Sequence, residues 1–165
     1  MSLSIKKHTP YHIKRQEFSD ELSKLNEKLP HRYCLILTNK CNLDCVFCFQ
    51  ERKGRRGALN KDEWLDVIDQ LPEYAHVTLT GGEPLVFKGF KEVFNRVTKK
   101  NTCNVISNGL LLNDDFIDLF STSKNFTNLS ISIDDIGNLN RDVKEKQWAK
   151  LVENITKFKA KIKQN

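Results

Sequence analysis

Long apolar runs are missing from this chain of 165 residues. Uninterrupted stretches such as Leu35–Leu37 and Leu110–Leu112 fall far short of the roughly 20 apolar residues that a bilayer-spanning helix needs. The amino terminus also lacks the apolar core of a secretory signal peptide, so the expected compartment is the cytoplasm, with no membrane partner. No internal repeat and no low-complexity linker interrupts the sequence. One folded domain over residues 33–165, preceded by a helical leader over residues 1–32, is therefore the expected organisation. An even set of cysteines is missing too: there are five, and three of them crowd into eight positions. That pattern argues against a secreted disulfide framework and for metal ligation in a reducing compartment. Aromatic residues are sparse among the basic ones. The net charge of +6 gathers mainly in Arg52-Lys53-Gly54-Arg55-Arg56 and in Lys157, Lys159, Lys161 and Lys163, which read as a solvated loop and the outer face of a last helix rather than a nucleic-acid interface.

What is present begins with Cys41, Cys45 and Cys48, spaced C-x3-C-x2-C in one short segment. Structural zinc and ordinary iron-sulfur clusters usually take four protein ligands, so a set of three suggests a cluster with one metal corner open for chemistry. The other two cysteines, Cys34 and Cys103, stand in apolar strand-like runs and are expected to be small buried hydrophobes.

The hydrophobic period switches repeatedly. Tyr33–Thr38 reads as a strand, and Trp64, Leu65, Val67, Ile68 and Leu71 as a helix that Asn60 and Glu63 cap. His76–Thr80 is a second strand ended by Gly81-Gly82, and Phe90, Val93, Phe94 and Val97 mark a helix. A third strand over Cys103–Ser107 leads through Asn108-Gly109 and the capping Asn113 to Phe116, Ile117, Leu119 and Phe120. Asn128–Ile133 alternates strictly as a fourth strand, with Leu129, Ile131 and Ile133 on one face and Ser130, Ser132 and Asp134 on the other. Trp148, Leu151, Val152, Ile155, Phe158 and Ile162 form the stripe of a long last helix. Before all of these, Phe18, Leu22, Leu25 and Leu29 follow helical spacing up to Pro30. Four strands, each followed by a helix, predict an α/β fold with a parallel sheet of right-handed crossover units. In such sheets ligands sit at the carboxyl ends of the strands, where the cysteine loop, Gly81-Gly82-Glu83-Pro84, Ser107-Asn108-Gly109 and Asp134-Asp135 all fall.

These residues resemble the radical S-adenosylmethionine (radical SAM) enzymes. The resemblance rests on the C-x3-C-x2-C cysteines, on Phe47 before the last of them, and on Gly81-Gly82-Glu83-Pro84 one helix and one strand later. It implies a partial β/α barrel in which Cys41, Cys45 and Cys48 hold a 4Fe-4S cluster whose fourth iron is chelated by SAM. Reductive cleavage of SAM then gives a 5'-deoxyadenosyl radical that abstracts hydrogen from an organic substrate, with no side-chain acid or base as catalyst. The resemblance further implies that Glu83 accepts from the SAM amino group and that Phe47 lines the adenine pocket. Gly81 and Gly82 let the backbone approach a ligand. Ser132 and Asp134 are candidates for the ribose hydroxyls or for substrate, and Asn108 either binds SAM or caps its strand. A flavodoxin- or ferredoxin-like reducing electron donor is the implied partner.

The family's usual barrel has six units, and this sequence supplies about four. A truncated barrel is the expectation, with a second chain completing it or an open natural form as the other readings. The motif style looks most like the peptide- and protein-modifying branch, although no cysteine follows Cys103 to hold that branch's auxiliary clusters. Phe47-Cys48-Phe49 and Ser107-Asn108-Gly109 look somewhat like the nucleotide-acting, viperin-like branch. Two other classes compete: an iron-sulfur electron-transfer or assembly partner without the reaction, and a zinc-binding interaction module with His8, His12 or His31 as fourth ligand.

Overall fold

A computed structural model describes residues 30–50, 58–133 and 143–162. The chain divides into two units, Met1–His31 and Arg32–Asn165; the expected leader helix, His8 and His12 lie outside the described residues. In the second unit the elements follow one another as β1 (Arg32–Ile36), α1 (Lys61–Asp69), β2 (His76–Thr80), a short 3₁₀ turn (Pro84–Val86), α2 (Phe90–Lys100), β3 (Thr102–Ser107), α3 (Asp114–Thr122), β4 (Phe126–Ile131) and α4 (Glu145–Ile162). The sheet is parallel throughout, in the order β1-β2-β3-β4. Strand alternating with helix in a parallel sheet of this order is the α/β fold that the period switches predict, and it matches the partial barrel that the resemblance implies.

Local sequence sets the helix starts. The Asn60 side chain accepts from the backbone N–H groups of Asp62 and Glu63, and the Glu63 carboxylate accepts from the Asn60 N–H at 2.7 Å. This reciprocal capping box satisfies donors that the first turn leaves unpaired. Asn113 caps α3 by accepting from the Phe116 N–H.

Strand alternation then sorts the side chains. Leu35, Leu37, Val77, Leu79 and Val105 join the helices in one buried core, filled by Phe90, Phe94 and Phe120; Phe120 meets the other two rings edge to face, as aromatic quadrupoles favour, and Phe90 stacks on Phe94. The register sets Cys34, Thr78, Asn104 and Asn128 in one row and Thr80 beside Ile36 in the next, with Ile106 beside Ser130. These rows lie on the opposite face of the pleat. Polar groups there bond across strands: Arg32 donates to the Thr78 hydroxyl, which donates to the Asn104 carbonyl, and the His76 ring meets both Thr102 and Asn104.

Three expectations need correction. Cys34 is exposed rather than buried, because its place in the β1 alternation puts it on the face away from the helices; Cys103 is fully buried. The fourth strand begins and ends two residues earlier than its alternation suggested. Phe126 stacks on Phe120 with ring centroids 4.9 Å apart, which draws it into the sheet, and the register shifts between Cys103 and Asn104 to accommodate it. In α4 the buried positions are Leu151, Asn154 and Phe158, whereas Val152 and Ile162 are exposed. Asn154 enters the buried face because its amide donates to the Leu112 carbonyl, an acceptor that burial would otherwise leave unpaired.

Candidate functional site

Beyond the strand ends, three loops meet around one cavity of about 220 Å³. The first carries the cysteines, the second Gly81-Gly82-Glu83 and the third Ser107-Asn108-Gly109. Parallel pairing continues past β1 and β2 into the first two loops: Leu37 N–H donates to the Thr80 carbonyl, Gly82 N–H to Thr38 and Glu83 N–H to Lys40, at 2.7 to 2.9 Å. This pairing brings the two backbones too close for side chains. A Cβ on Gly81, whose φ is +153°, would meet the Thr38 carbonyl oxygen at 2.4 Å, and one on Gly82 would meet that of Lys40 at 2.4 Å. The glycines are therefore needed first for contact with the cysteine loop, a reason within the protein additional to the ligand approach read from the sequence.

Glu83 has no exposed surface. One carboxylate oxygen accepts from the Leu85 N–H at 3.0 Å and the Ser107 hydroxyl at 2.8 Å; the other accepts from the Asn108 N–H at 2.8 Å. A buried carboxylate needs such donors, and these contacts make it the tie between the second loop and the third. Asn108 returns the circuit to the first loop, its amide donating to the Asn42 carbonyl oxygen at 2.8 Å and facing the Cys41 sulfur at 3.8 Å. Just past β4, Ser132 N–H donates to the Ser107 carbonyl.

Cys41, Cys45, Cys48, Phe47, Gly81, Gly82, Asn108 and Ser132 all line the cavity, so the structure brings together the greater part of the residues singled out by sequence. Glu83 stands behind the wall as a strut. Asp134 lies outside the described residues. Phe47 is half exposed, and Phe49 beside it almost wholly so. Sequence reasoning missed Gln50, whose amide donates to the Gly81 carbonyl at 3.0 Å and whose carbonyl oxygen is buried without a hydrogen-bond partner. No motif flags it; only its place next to the cysteine loop does. Thr80 and Ile106 also line the cavity, as the last inward residues of β2 and β3 to do so.

Among the described residues no Asp, Glu, His, Lys or Arg lines this cavity; the ionisable side chains of its described lining are the three cysteines. Nor do three His, Cys, Asp or Glu side chains among the described residues stand close enough to hold a single metal ion. A soft three-sulfur set and an unsatisfied buried carbonyl oxygen fit an iron-sulfur cluster with a polar organic molecule beside it.

The model of the radical SAM superfamily matches residues 35–164. Over 118 residues the chain is 39% identical to the sporulation killing factor maturation protein SkfB of Bacillus subtilis (strain 168), a match that covers 69% of this chain and 28% of SkfB. Over 120 residues it is 29% identical to an S-adenosylmethionine-dependent nucleotide dehydratase of Psychrobacter lutiphocae, covering 62% of this chain and 40% of that protein. Its fold is similar to that of Streptococcus suis SuiB, solved bound to the precursor peptide SuiA, with a TM-score of 0.67 at 18% identity over 96% of this chain and 38% of SuiB. The chain thus spans less than half the length of each of these proteins.

Proposed function

This chain belongs to the radical SAM superfamily, whose cofactors are a 4Fe-4S cluster and SAM, and we propose that it forms the cofactor-binding part of an enzyme that cleaves SAM reductively and abstracts hydrogen from a peptide or protein. The observation that carries this reading is the convergence of Cys41, Cys45 and Cys48 with the Gly81-Gly82 turn on one cavity. The three thiolates would hold the cluster. Gly81, Gly82 and Gln50 would form the wall against which the methionyl part of SAM lies, with the unsatisfied Gln50 carbonyl oxygen as an acceptor there. Phe47 would flank adenine, and Ser132 and Asp134 would face the ribose or the substrate. Bound together and reduced by one electron from the donor protein, the two cofactors would supply the reductive cleavage of the sulfonium and the hydrogen-abstracting chemistry that follows from it. The chain's own part is to orient them and to limit access of water.

A peptide substrate is supported by the match to SkfB, a maturation protein, and by the fold shared with SuiB, which binds a precursor peptide. The match to the nucleotide dehydratase favours a second reading, a nucleotide substrate. A flavodoxin- or ferredoxin-like protein would deliver the electron.

The test is 5'-deoxyadenosine formation by the anaerobically reconstituted, dithionite-reduced protein with SAM, against Cys48→Ala treated identically. Product in the native sequence alone is expected; equal product from both would overturn the reading.

A further inference from the structure

Cys41 differs from an ordinary surface thiol in what surrounds its sulfur. The Leu43 backbone N–H donates to it at 3.4 Å, and the Asn108 side-chain amide nitrogen lies 3.8 Å away, within the longer reach of bonds to sulfur. The Asn108 side chain is held on every side. Its carbonyl oxygen accepts from the Leu110 N–H at 3.0 Å, one amide hydrogen goes to the Asn42 oxygen at 2.8 Å, and the other is left for Cys41. An asparagine has two amide donors and one carbonyl, and this arrangement uses all three, so the NH₂ end has to be the one that faces the sulfur. The backbone N–H of the same residue is anchored by Glu83 at 2.8 Å, and the side chain is buried.

Hydrogen bonds to cluster sulfurs are among the factors that set an iron-sulfur potential, because a donor stabilises the more negative, reduced form. We infer that Asn108 is a positioning residue that raises the reduction potential of the cluster by donating an amide N–H to the Cys41 ligand sulfur. The inference rests on the proposed cluster reading. It also gives the Glu83 carboxylate a role at a distance, since Glu83 holds the loop from which Asn108 reaches the first loop.

The experiment compares the midpoint potential of the reconstituted cluster in the native protein, Asn108→Leu, Asn108→Ser and Asn42→Ala, by paramagnetic resonance at fixed poises without SAM. Omitting SAM removes any effect of Asn108 on that ligand. At the native midpoint, Asn108→Leu should show a reduced-to-oxidised ratio about tenfold lower, equivalent to about 59 mV for a one-electron couple. Asn42→Ala, which removes the neighbouring tie but leaves the donor to Cys41, should keep the native ratio. Asn108→Ser tests the same loss should the leucine variant not load a cluster. A native ratio in the asparagine-108 variants, or an equal shift in Asn42→Ala, overturns the inference. Absence of any cluster in the native protein would instead overturn the reading beneath it.

Discussion

Beneath its helices the sheet is held by rings: Phe94 lies 5.1 Å from Phe120 and 5.7 Å from Phe126, and Phe90 packs against both Phe94 and Phe120. At the carboxyl ends of the same strands the three loops are held by hydrogen bonds and by two glycines pressed against neighbouring carbonyls. The first region draws its stability from apolar area removed from water, which is large and indifferent to exact direction. The second draws on directional contacts of about 1 kcal/mol each, which fix atoms in place more than they add stability. Fold and site are therefore separable to a useful degree, and variants in one region should leave the other's signature alone.

The largest expected effect belongs to the core. Phe94→Ala should lower the unfolding free energy by about 3–5 kcal/mol, measured by urea denaturation, while the fraction that stays folded still takes up iron as the native protein does. Equal losses of stability and of iron uptake per folded molecule would break the comparison. Next comes Gly82→Ala, whose new methyl would stand 2.4 Å from the Lys40 carbonyl oxygen. Overpacking of this kind costs about 1–3 kcal/mol, and because the strain falls on the cysteine loop, iron content after reconstitution should drop more steeply than stability. A variant that loses stability yet reconstitutes fully would show that the glycine contact does not position the cysteines. The smallest effect concerns the two cysteines outside the loop. Burial raises the Cys103 thiol far above its ordinary range, and alkylation proceeds through the thiolate, so at mildly alkaline pH Cys103 in the folded protein should resist iodoacetamide. Exposed Cys34 should react. Mass mapping of the labelled sites distinguishes them, and rapid labelling of Cys103 would mean that the helix-covered face opens readily.

Much of this architecture was legible in the residues. Helical spacing at Phe90, Val93, Phe94 and Val97 and the Asn60–Glu63 box mark their elements, because both signals are local. The start of β4 was not legible, since Phe126 joins the sheet through rings supplied by α2 and α3, and nothing within the strand itself reports them. The same holds for Asn154, an asparagine on a buried face for the sake of a carbonyl 42 residues away. At the site, the cysteines and Gly81-Gly82 stand out by spacing. Gln50 does not, and neither does the tie from Glu83 to Ser107 and Asn108, because those contacts exist only once the loops that follow three different strands meet. Sequence identified Glu83 as a residue for a ligand; the structure places its carboxylate on the chain's own donors, one step behind the cavity wall.

The central claim is that this cavity holds a cluster with a free corner that SAM occupies. The most direct measurement is the paramagnetic resonance spectrum of the reduced, reconstituted protein as SAM is added. The account predicts a saturable change in the signal, absent in Cys48→Ala. A cluster that forms fully on the three cysteines yet gives the same spectrum at every SAM concentration would contradict it.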